Sequence, residues 1–340
     1  MAKQPRENPK HMTKIGGQAL IEGVMMKGAD TGAMACRLPN GEIEVETWPE
    51  NNGKHMPWYR KCPLVRGCFN FVQSMKDGYR CLTKSAEKQM PEDGEEEEEE
   101  EMNRFEKWLD DKLGDKIFGI IMTIGMIVGI AVAVGLFIFL PKFLIGQLIA
   151  HTAIPENSRF VRSLLEGILK IAIFLGYMAC TGMMKDIRRT YEYHGAEHKT
   201  IACYEADDPL TPENAMKHSR LHPRCGTNYL FLVMAVSIVF FALVGWNESF
   251  WLRLLSRIVF LPLVAGISYE VLKLAAKYEN IFTKIIRAPG MALQYITTKE
   301  PTADMLEVAI ASFNLAMSEP KEAMEAVRRN REETADKAEA

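Results

Sequence analysis

Hydrophobic residues are concentrated in four long runs in the middle of this chain. The first run, residues 117–140, contains no charged residue and is followed by Pro141, which we expect to end the helix. About 20 consecutive apolar residues are enough to cross the hydrocarbon core of a bilayer, so this run predicts a membrane-spanning helix. Three further runs predict spans at residues 164–184, 229–246 and 254–272.

The segment before the first span, residues 10–90, predicts a small cytosolic α+β module. Residues 33–38 and 42–48 alternate apolar and polar side chains around a Pro-Asn-Gly turn, a pattern typical of a β-hairpin. Residues 68–84 then place apolar side chains at helical spacing. These side chains are Phe69, Val72, Met75, Tyr79 and Leu82. A small packed domain accounts for both elements.

Polar segments flank the membrane part. Residues 91–116 form an acidic linker and pre-membrane segment with seven consecutive glutamates, which repel one another and stay solvated. After the last span, residues 273–340 predict cytosolic helices and a charged tail. One amphipathic helix follows Pro301, with Met305, Val308, Ala309, Phe313 and Met317 at helical spacing. From about Lys321 the tail has no core-forming pattern.

These patterns predict a mainly α membrane protein with about four transmembrane helices, a small α+β N-terminal cytosolic module and a helical C-terminal tail. The predicted spans pair as residues 117–184 and 229–272, on either side of a loop at residues 185–228. An even number of spans places both termini and this loop on one side of the membrane. All but six of the 41 Lys and Arg residues lie on that side. The positive-inside rule therefore favours a multi-pass protein of the inner (plasma) membrane with both termini in the cytoplasm.

Charge and cysteine content argue against two classes of protein. The net charge of -3 gives no general attraction to nucleic acid, so we expect no nucleic-acid partner. The seven cysteines are odd in number and have no framework spacing, which favours reduced thiols over a disulfide scaffold. The partner that the hydropathy pattern predicts is the lipid bilayer.

The loop at residues 185–228 carries the best candidate for chemistry. His194 and His198 are four residues apart, so on a helix both imidazoles project from one face. Glu197 completes the pattern H-x-x-E-H, the inverted form of the zincin motif. Gly195 weakens the helical assumption, because glycine inside a helix costs about 1 kcal/mol relative to alanine. The pattern predicts two imidazole ligands for one metal ion, with a carboxylate beside them.

A second cluster follows in the sequence HSRLHPRCGT, which contains His218, His222 and Cys225. His222 and Cys225 can close a tetrahedral site with the first two histidines, and zinc suits this mixture of imidazole and thiolate ligands. In such a site Glu197 is the candidate general base for a zinc-activated water. The alternatives are a structural zinc and a hydrogen-bonded polar packing cluster without a metal.

Three further polar residues are weaker candidates for the same site. Glu205 is either a fourth ligand or a carboxylate that orients a ligand histidine. Arg224 can hold a carboxylate or phosphate in bidentate fashion, or it pins the loop through a salt bridge. Glu22 lies in an apolar block at residues 16–26 that is too short to span a bilayer. This block is a buried strand or turn, or it brings Glu22 to the loop as an acid, base or ligand.

Five sequence blocks carry a resemblance to a known family. They are GGQALIEGVMM at residues 16–26, PLVRG at 63–67, HGAEHKTIACYE at 194–205, HPRCGT at 222–227 and APGMALQYITTKEP at 288–301. In this order, over nearly the whole chain, they resemble the YqhQ-like bacterial membrane proteins, which are described as predicted metal-dependent enzymes without an established reaction. The resemblance implies a metal motif, outside which His218 lies. The positions of this motif are His194, Glu197, His198, Glu205, His222 and Cys225.

Two classes of function follow from these observations. The first is a membrane-embedded, zinc-dependent hydrolase that cleaves an amide or ester at the cytosolic surface. The second is a non-enzymatic membrane scaffold or biogenesis factor that engages a membrane-protein or translocation-machinery partner through its cytosolic segments. In the second class the His/Cys cluster holds a structural metal or is a polar packing cluster.

Overall fold

The structure, a computed structural model, describes residues 13, 15–50, 57–89, 117–151, 159–244, 250–278 and 280–338. The chain is mostly helical, with a small four-stranded antiparallel sheet near its N-terminus. It divides into two compact units: Met1–Gln89 together with Leu175–Ala340, and Met90–Phe174. The acidic linker predicted at residues 91–116 lies outside the described residues.

The described elements are four strands, eleven α-helices, a 3-10 turn at Trp58–Lys61 and a π-helical segment at Gly135–Phe139. The strands are β1 (Gly16–Leu20), β2 (Gly23–Lys27), β3 (Thr31–Arg37) and β4 (Ile43–Pro49). The helices before the central loop are α1 (Val65–Glu87), α2 (Ile117–Val134), α3 (Leu140–Ala150) and α4 (Arg159–Thr181). The remaining helices are α5 (Lys185–Glu205), α6 (Pro212–Ala215), α7 (Gly226–Val244), α8 (Phe250–Lys277), α9 (Ile281–Thr297), α10 (Ala303–Met317) and α11 (Pro320–Ala338).

The four strands form an antiparallel meander in the order β1-β2-β3-β4. The predicted hairpin is confirmed as β3 and β4, which pair Ala35 with Val45. Gly41 adopts a φ of 90° in the turn between them, a conformation that glycine reaches without steric cost. The apolar block at residues 16–26 forms a second hairpin from β1 and most of β2, with Glu22 in its turn.

Side chains alternate between the two faces of the sheet along each strand, and both faces contribute buried residues. On one face, Val24 and Met26 of β2 pack against α5 and α10. The core residues that these two helices contribute include Tyr193, Ile201, Met305, Leu306 and Phe313. On the other face, Met25 and Leu20 meet Cys81 of α1. The sheet therefore shares one core with helices from the central loop and from the C-terminal region.

The apolar stripe predicted at residues 68–84 does form one side of a helix, α1, but it does not face a core. Its side chains are exposed by 38–63%. The buried residues of α1 are instead Gly67, Asp77, Gly78, Cys81 and Ser85. Small residues allow α1 to approach its neighbours closely, so the larger apolar side chains point away from them.

The charged tail predicted from Lys321 is also helical, as α11. Ala323 is completely buried in the core. Farther along, Asn330 Nδ2 donates a hydrogen bond of 3.1 Å to the backbone carbonyl of Ile43. Helix α11 thus packs beside β4. Its buried contact is made by small alanine side chains, which do not form a recognisable apolar pattern in a charged segment.

Among the described residues, four helical stretches are long and apolar enough to cross a membrane. They are Thr123–Ala150, Val161–Thr181, Gly226–Val244 and Leu255–Ala275. These four candidate spans support a membrane protein.

The expectation that Pro141 ends the first span is wrong. Proline inside a helix loses a backbone hydrogen bond and clashes with the carbonyl four residues earlier. Here that carbonyl lies in the π-helical segment Gly135–Phe139, whose wider turn precedes Pro141. Pro141 therefore occupies the first turn of α3, where its missing N–H is not needed, and the helix continues to Ala150.

Candidate metal centre

Three of the four predicted ligands converge on one point. His194 and His198 come from consecutive turns of α5, and Cys225 directly precedes α7. One ligand atom from each residue lies within 4.8 Å of the ligand atoms of the other two. Nε2 of His194 is 3.1 Å from Sγ of Cys225. Two imidazole nitrogens and a sulfur form a donor set that binds zinc well.

Backbone carbonyls fix the orientation of both imidazoles. Nδ1 of His194 donates a hydrogen bond to the carbonyl of Thr297 at 2.9 Å. Nδ1 of His198 donates in the same way to the carbonyl of Arg220 at 2.6 Å. A carbonyl only accepts hydrogen bonds, so each Nδ1 carries a proton and each Nε2 is the nitrogen available to a ligand. Metal-binding histidines are commonly oriented by this type of outer hydrogen bond.

Nε2 of His198 is buried and has no hydrogen-bond partner of ordinary geometry. A buried polar nitrogen without a partner is costly, and such atoms are uncommon in folded proteins. This nitrogen belongs to the same cluster as His194 and Cys225. A metal ion bound by the cluster would satisfy it. The cluster therefore fits a metal by its chemistry as well as by its distances.

The electrostatics of the cluster favour a thiolate beside an imidazolium. Burial alone would raise the pKa of Cys225, but the positive charges of His198 and His194 outweigh burial and hold that pKa well below its usual value. Burial likewise disfavours a charged His194, yet the Cys225 thiolate raises the pKa of the imidazole above its usual value. Since a thiolate is the form of cysteine that binds metals, the thiol is prepared for this role.

Glu197 lies within the same buried environment. Its side chain is on α5 between the two histidines, and burial raises its pKa although both imidazoles oppose the shift. The backbone N–H of Gly17 hydrogen bonds to the carboxylate. A Cβ atom at Gly17 would lie only 2.9 Å from the Glu197 carboxyl carbon. Strand β1 therefore needs glycine here, and it covers the carboxylate that the H-x-x-E-H pattern predicts as a general base.

Gly195 occupies the interior of α5, where alanine would normally be favoured by about 1 kcal/mol. A Cβ atom here would overlap the backbone carbonyl oxygen of Lys299, which is held in place because Lys299 N–H donates to the carbonyl of Tyr191 at 2.8 Å. We expect Gly195→Ala to lower the free energy of unfolding by about 1–3 kcal/mol, despite its better helix propensity. Chemical denaturation in detergent measures the difference. Gly176→Ala is the control, since α4 leaves open space around Gly176, and it should be neutral or stabilising.

The other predicted ligand, His222, lies outside the group of three. Its ring centroid is 5.6 Å from that of His198. Nε2 of His222 is 3.8 Å from a carboxylate oxygen of Glu205 and 3.3 Å from a guanidinium nitrogen of Arg224. Arg224 also forms a salt bridge with Glu205, whose carboxylate accepts a further hydrogen bond from the N–H of Thr13 at 3.0 Å. His222, Glu205 and Arg224 thus form a polar network beside the cluster.

This network gives Glu205 a pH-dependent role in stability. Burial would raise its pKa, but His222, Arg224 and the N–H of Thr13 lower it to about 2. A carboxyl group with a depressed pKa stabilises the fold above its ordinary pKa, and the stabilisation is lost as the pH falls through the folded-state value. We expect Glu205→Gln to cost roughly 1–3 kcal/mol at pH 7. In denaturation series, the difference from the unsubstituted protein should shrink between about pH 4.5 and pH 2.

Glu307→Gln is the matched control for this prediction. Glu307 pairs with Arg37 at 3.0 Å, but its side chain is 51% exposed. Exposed ion pairs contribute about 0–1 kcal/mol, so the control should change stability little at any pH. A cost of Glu205→Gln that persisted at low pH would contradict the assigned carboxylate network.

Two other sequence candidates lie elsewhere in the structure. Glu22 reaches α5 but not the cluster: its carboxylate accepts hydrogen bonds from Arg189 at 2.7 Å and from the Tyr193 hydroxyl at 3.1 Å. It therefore joins the sheet to the start of α5. His218, which the resemblance leaves outside the motif, donates a 2.9 Å hydrogen bond from Nε2 to the carboxylate of Asp208.

Gln294 is a site residue that the sequence reasoning missed. It is completely buried, accepts a hydrogen bond from the N–H of His222 at 2.8 Å and donates to the carbonyl of the same residue at 2.8 Å. Its amide also donates to the side chain of Asn228 at 3.0 Å. Gln294 thereby fixes the turn that carries Cys225. The sequence feature that could have indicated Gln294 is the block at residues 288–301, which carries part of the family resemblance and contains both Gln294 and Thr297.

Comparisons with known proteins place these residues in a wider context. Residues 62–319 match the family described as "Protein of unknown function (DUF1385)". The "Uncharacterized protein YqhQ" of Bacillus subtilis (strain 168) is 33% identical over 306 residues, which cover 88% of this chain and 91% of that protein. No solved structure gives a significant match. The cluster lies within the matched region.

Proposed function

The chain belongs to the DUF1385 family, whose description assigns no reaction, and from its own residues we propose that it is a zinc-dependent hydrolase at the cytosolic face of the plasma membrane. One observation carries the proposal. Ligand atoms of His194, His198 and Cys225 lie within 4.8 Å of one another, and the buried Nε2 of His198 in this cluster has no hydrogen bond of ordinary geometry.

Three ligands, rather than four, favour a catalytic centre. Structural zinc sites are closed by four protein ligands, whereas catalytic sites keep one position for water or substrate. Among the described residues, the metal-competent group contains only three side chains. When bound there, zinc would acidify a water molecule and polarise a substrate carbonyl.

Glu197 supplies the acid–base chemistry in this proposal. Its carboxylate lies on the same helix as both imidazoles and interacts electrostatically with all three ligands. A neighbouring dication favours the charged form of a carboxyl group, so a metal held by the three ligands would counteract the burial that raises the pKa of Glu197. The carboxylate can then accept a proton from water and return it to the leaving group of an amide or ester.

The proposed centre adjoins a candidate membrane span. Cys225 is the residue directly before Gly226–Val244. The distribution of Lys and Arg favours the cytosol for this end of the span. A substrate at the membrane surface, or one anchored in the bilayer, therefore fits this location.

The test of the proposal is the metal content of the purified protein. Protein without a histidine tag, purified in detergent without chelator, should contain about one zinc per chain by inductively coupled plasma mass spectrometry. Hydrolysis of activated aryl esters and amides should follow the zinc content. A folded preparation that contains no stoichiometric metal, even after incubation with zinc, overturns the proposal.

A further inference from the structure

Helix α1 has an exposed apolar stripe along one side. Phe69, Val72 and Met75 are exposed by 44%, 63% and 61%. They are three residues apart, so they share one side of the helix. A row of large apolar side chains open to water would be costly, and such patches mark interaction surfaces.

The opposite side of α1 packs closely against a candidate membrane span. A Cβ atom at Gly67 would lie 2.8 Å from Cβ of Tyr269 and 3.0 Å from Cα of Gly266, both in α8. Asn70 donates a hydrogen bond of 3.0 Å to the hydroxyl of Tyr269. Small residues that bring two helices together are characteristic of helix packing in membranes.

Further contacts confirm that this packing involves the spans themselves. Sγ of Cys68 donates to the carbonyl of Pro262 at 2.8 Å. The ring of Phe71 lies 6.0 Å from that of Tyr229. Pro262 belongs to the candidate span Leu255–Ala275, and Tyr229 belongs to Gly226–Val244. The first turns of α1 are therefore side by side with both spans.

The position of Gly266 gives the depth of this contact. It lies nine residues before Ala275, the end of its span, which corresponds to about 14 Å along a helix. Half of a hydrocarbon core is about 15 Å thick. Because α7 and α8 are consecutive spans, the end of α8 is on the same side as Cys225. If the candidate span Leu255–Ala275 crosses the bilayer, the start of α1 lies at the depth of acyl chains on the side of the metal centre.

The charge pattern of α1 matches this depth. Residues 65–75 contain one charged side chain, Arg66, and its Nε donates a 2.7 Å hydrogen bond to the carboxylate of Glu270 in α8. From Lys76 onward, charged residues return and the helix reaches the sheet, where Asp77 pairs with Lys27.

We propose that residues 65–75 of α1 are inserted into the bilayer leaflet on the side of the metal centre, with Phe69, Val72 and Met75 against the acyl chains. This segment is about 16 Å long, too short to span the membrane. It makes the N-terminal region a membrane-contacting part of the protein rather than a purely cytosolic one. The inference does not depend on the metal.

Photolabelling tests this proposal directly. The protein is reconstituted into phosphatidylethanolamine–phosphatidylglycerol vesicles that contain a phospholipid with a diazirine in its acyl chain, and labelled peptides are identified by mass spectrometry. Peptides covering residues 65–75 should be labelled at a level comparable to those of α7 and α8. The peptide around Met324, which is apolar and 68% exposed on α11, is the control and should remain unlabelled.

A second measurement keeps the test independent of labelling yield. Val72→Cys and Met324→Cys proteins in vesicles are treated with a water-soluble maleimide, and labelling is compared with the parent chain. Met324→Cys should react rapidly, whereas Val72→Cys should react at least tenfold more slowly and become reactive in denaturant. Equal reactivity of the two overturns the proposal. Crosslinking of residues 65–75 to another part of this chain, or to a second copy of it, in place of lipid would also overturn the proposal.

Discussion

His198→Ala protein should purify with zinc at background level. Structural zinc sites with four ligands bind with about 10–16 kcal/mol, so one ligand contributes about 3 kcal/mol, or roughly 100-fold in affinity. Nε2 of His198 is the buried nitrogen of the cluster without a hydrogen bond of ordinary geometry, and alanine removes it. Elemental analysis and titration with zinc measure the loss. In addition, zinc should raise the melting temperature of the unsubstituted protein but not that of His198→Ala.

His218→Ala is the matched control for metal loss. His218 is also a buried histidine of the central segment, but it is hydrogen bonded to Asp208 and lies outside the group of three. This variant should keep about one zinc per chain, even if it is less stable. Zinc retained by His198→Ala and lost by His218→Ala would mean that the metal binds elsewhere.

Glu197→Gln protein should keep its zinc and lose its hydrolytic activity. Glutamine has the shape of glutamate but cannot accept a proton, and general acid–base catalysis contributes about 10²- to 10⁴-fold to a rate. The change leaves all three ligand side chains intact. The measurement is the rate of ester or amide hydrolysis per bound zinc, compared with the unsubstituted protein.

Glu192→Gln provides the control on the same helix. Glu192 lies near the start of α5 and pairs with Arg188 at 3.4 Å, away from the ligands. It should retain both zinc and activity. A Glu197→Gln protein with full zinc and an unchanged rate would indicate a structural metal, and the function would then lie closer to a scaffold.

Much of the fold follows from periodicity in the sequence. Alternation predicted the β3–β4 hairpin, and apolar run length predicted four stretches that the structure has as membrane-length helices. The errors arose where the apolar and polar pattern did not determine the structure. The continuation of the first span past Pro141 requires a π-helical turn that no sequence rule specifies. The packing of α11 rests on Ala323, an apolar residue too small to stand out in a charged segment.

The candidate site was predictable where its residues are close in sequence. Helical spacing placed His194 and His198 together, and Cys225 completes the group in the structure. The acceptors for their Nδ1 atoms are backbone carbonyls, which any residue type can supply, so the identities of Thr297 and Arg220 did not reveal these hydrogen bonds. The spacing of His222 and Cys225 carried less information, because Cys225 joins the group of three in the structure and His222 does not.

The hydrogen bond from His194 to the carbonyl of Thr297 joins residues 103 positions apart. During synthesis, the ligands leave the ribosome long before the acceptor that orients the first imidazole. The nascent chain must complete both later candidate spans and α9 before the donor atoms can be held in their final directions. If the cluster binds zinc as proposed, its full affinity would therefore be reached only once α9 is in place, and a chain that stops short of α9 should bind zinc about 10- to 100-fold more weakly.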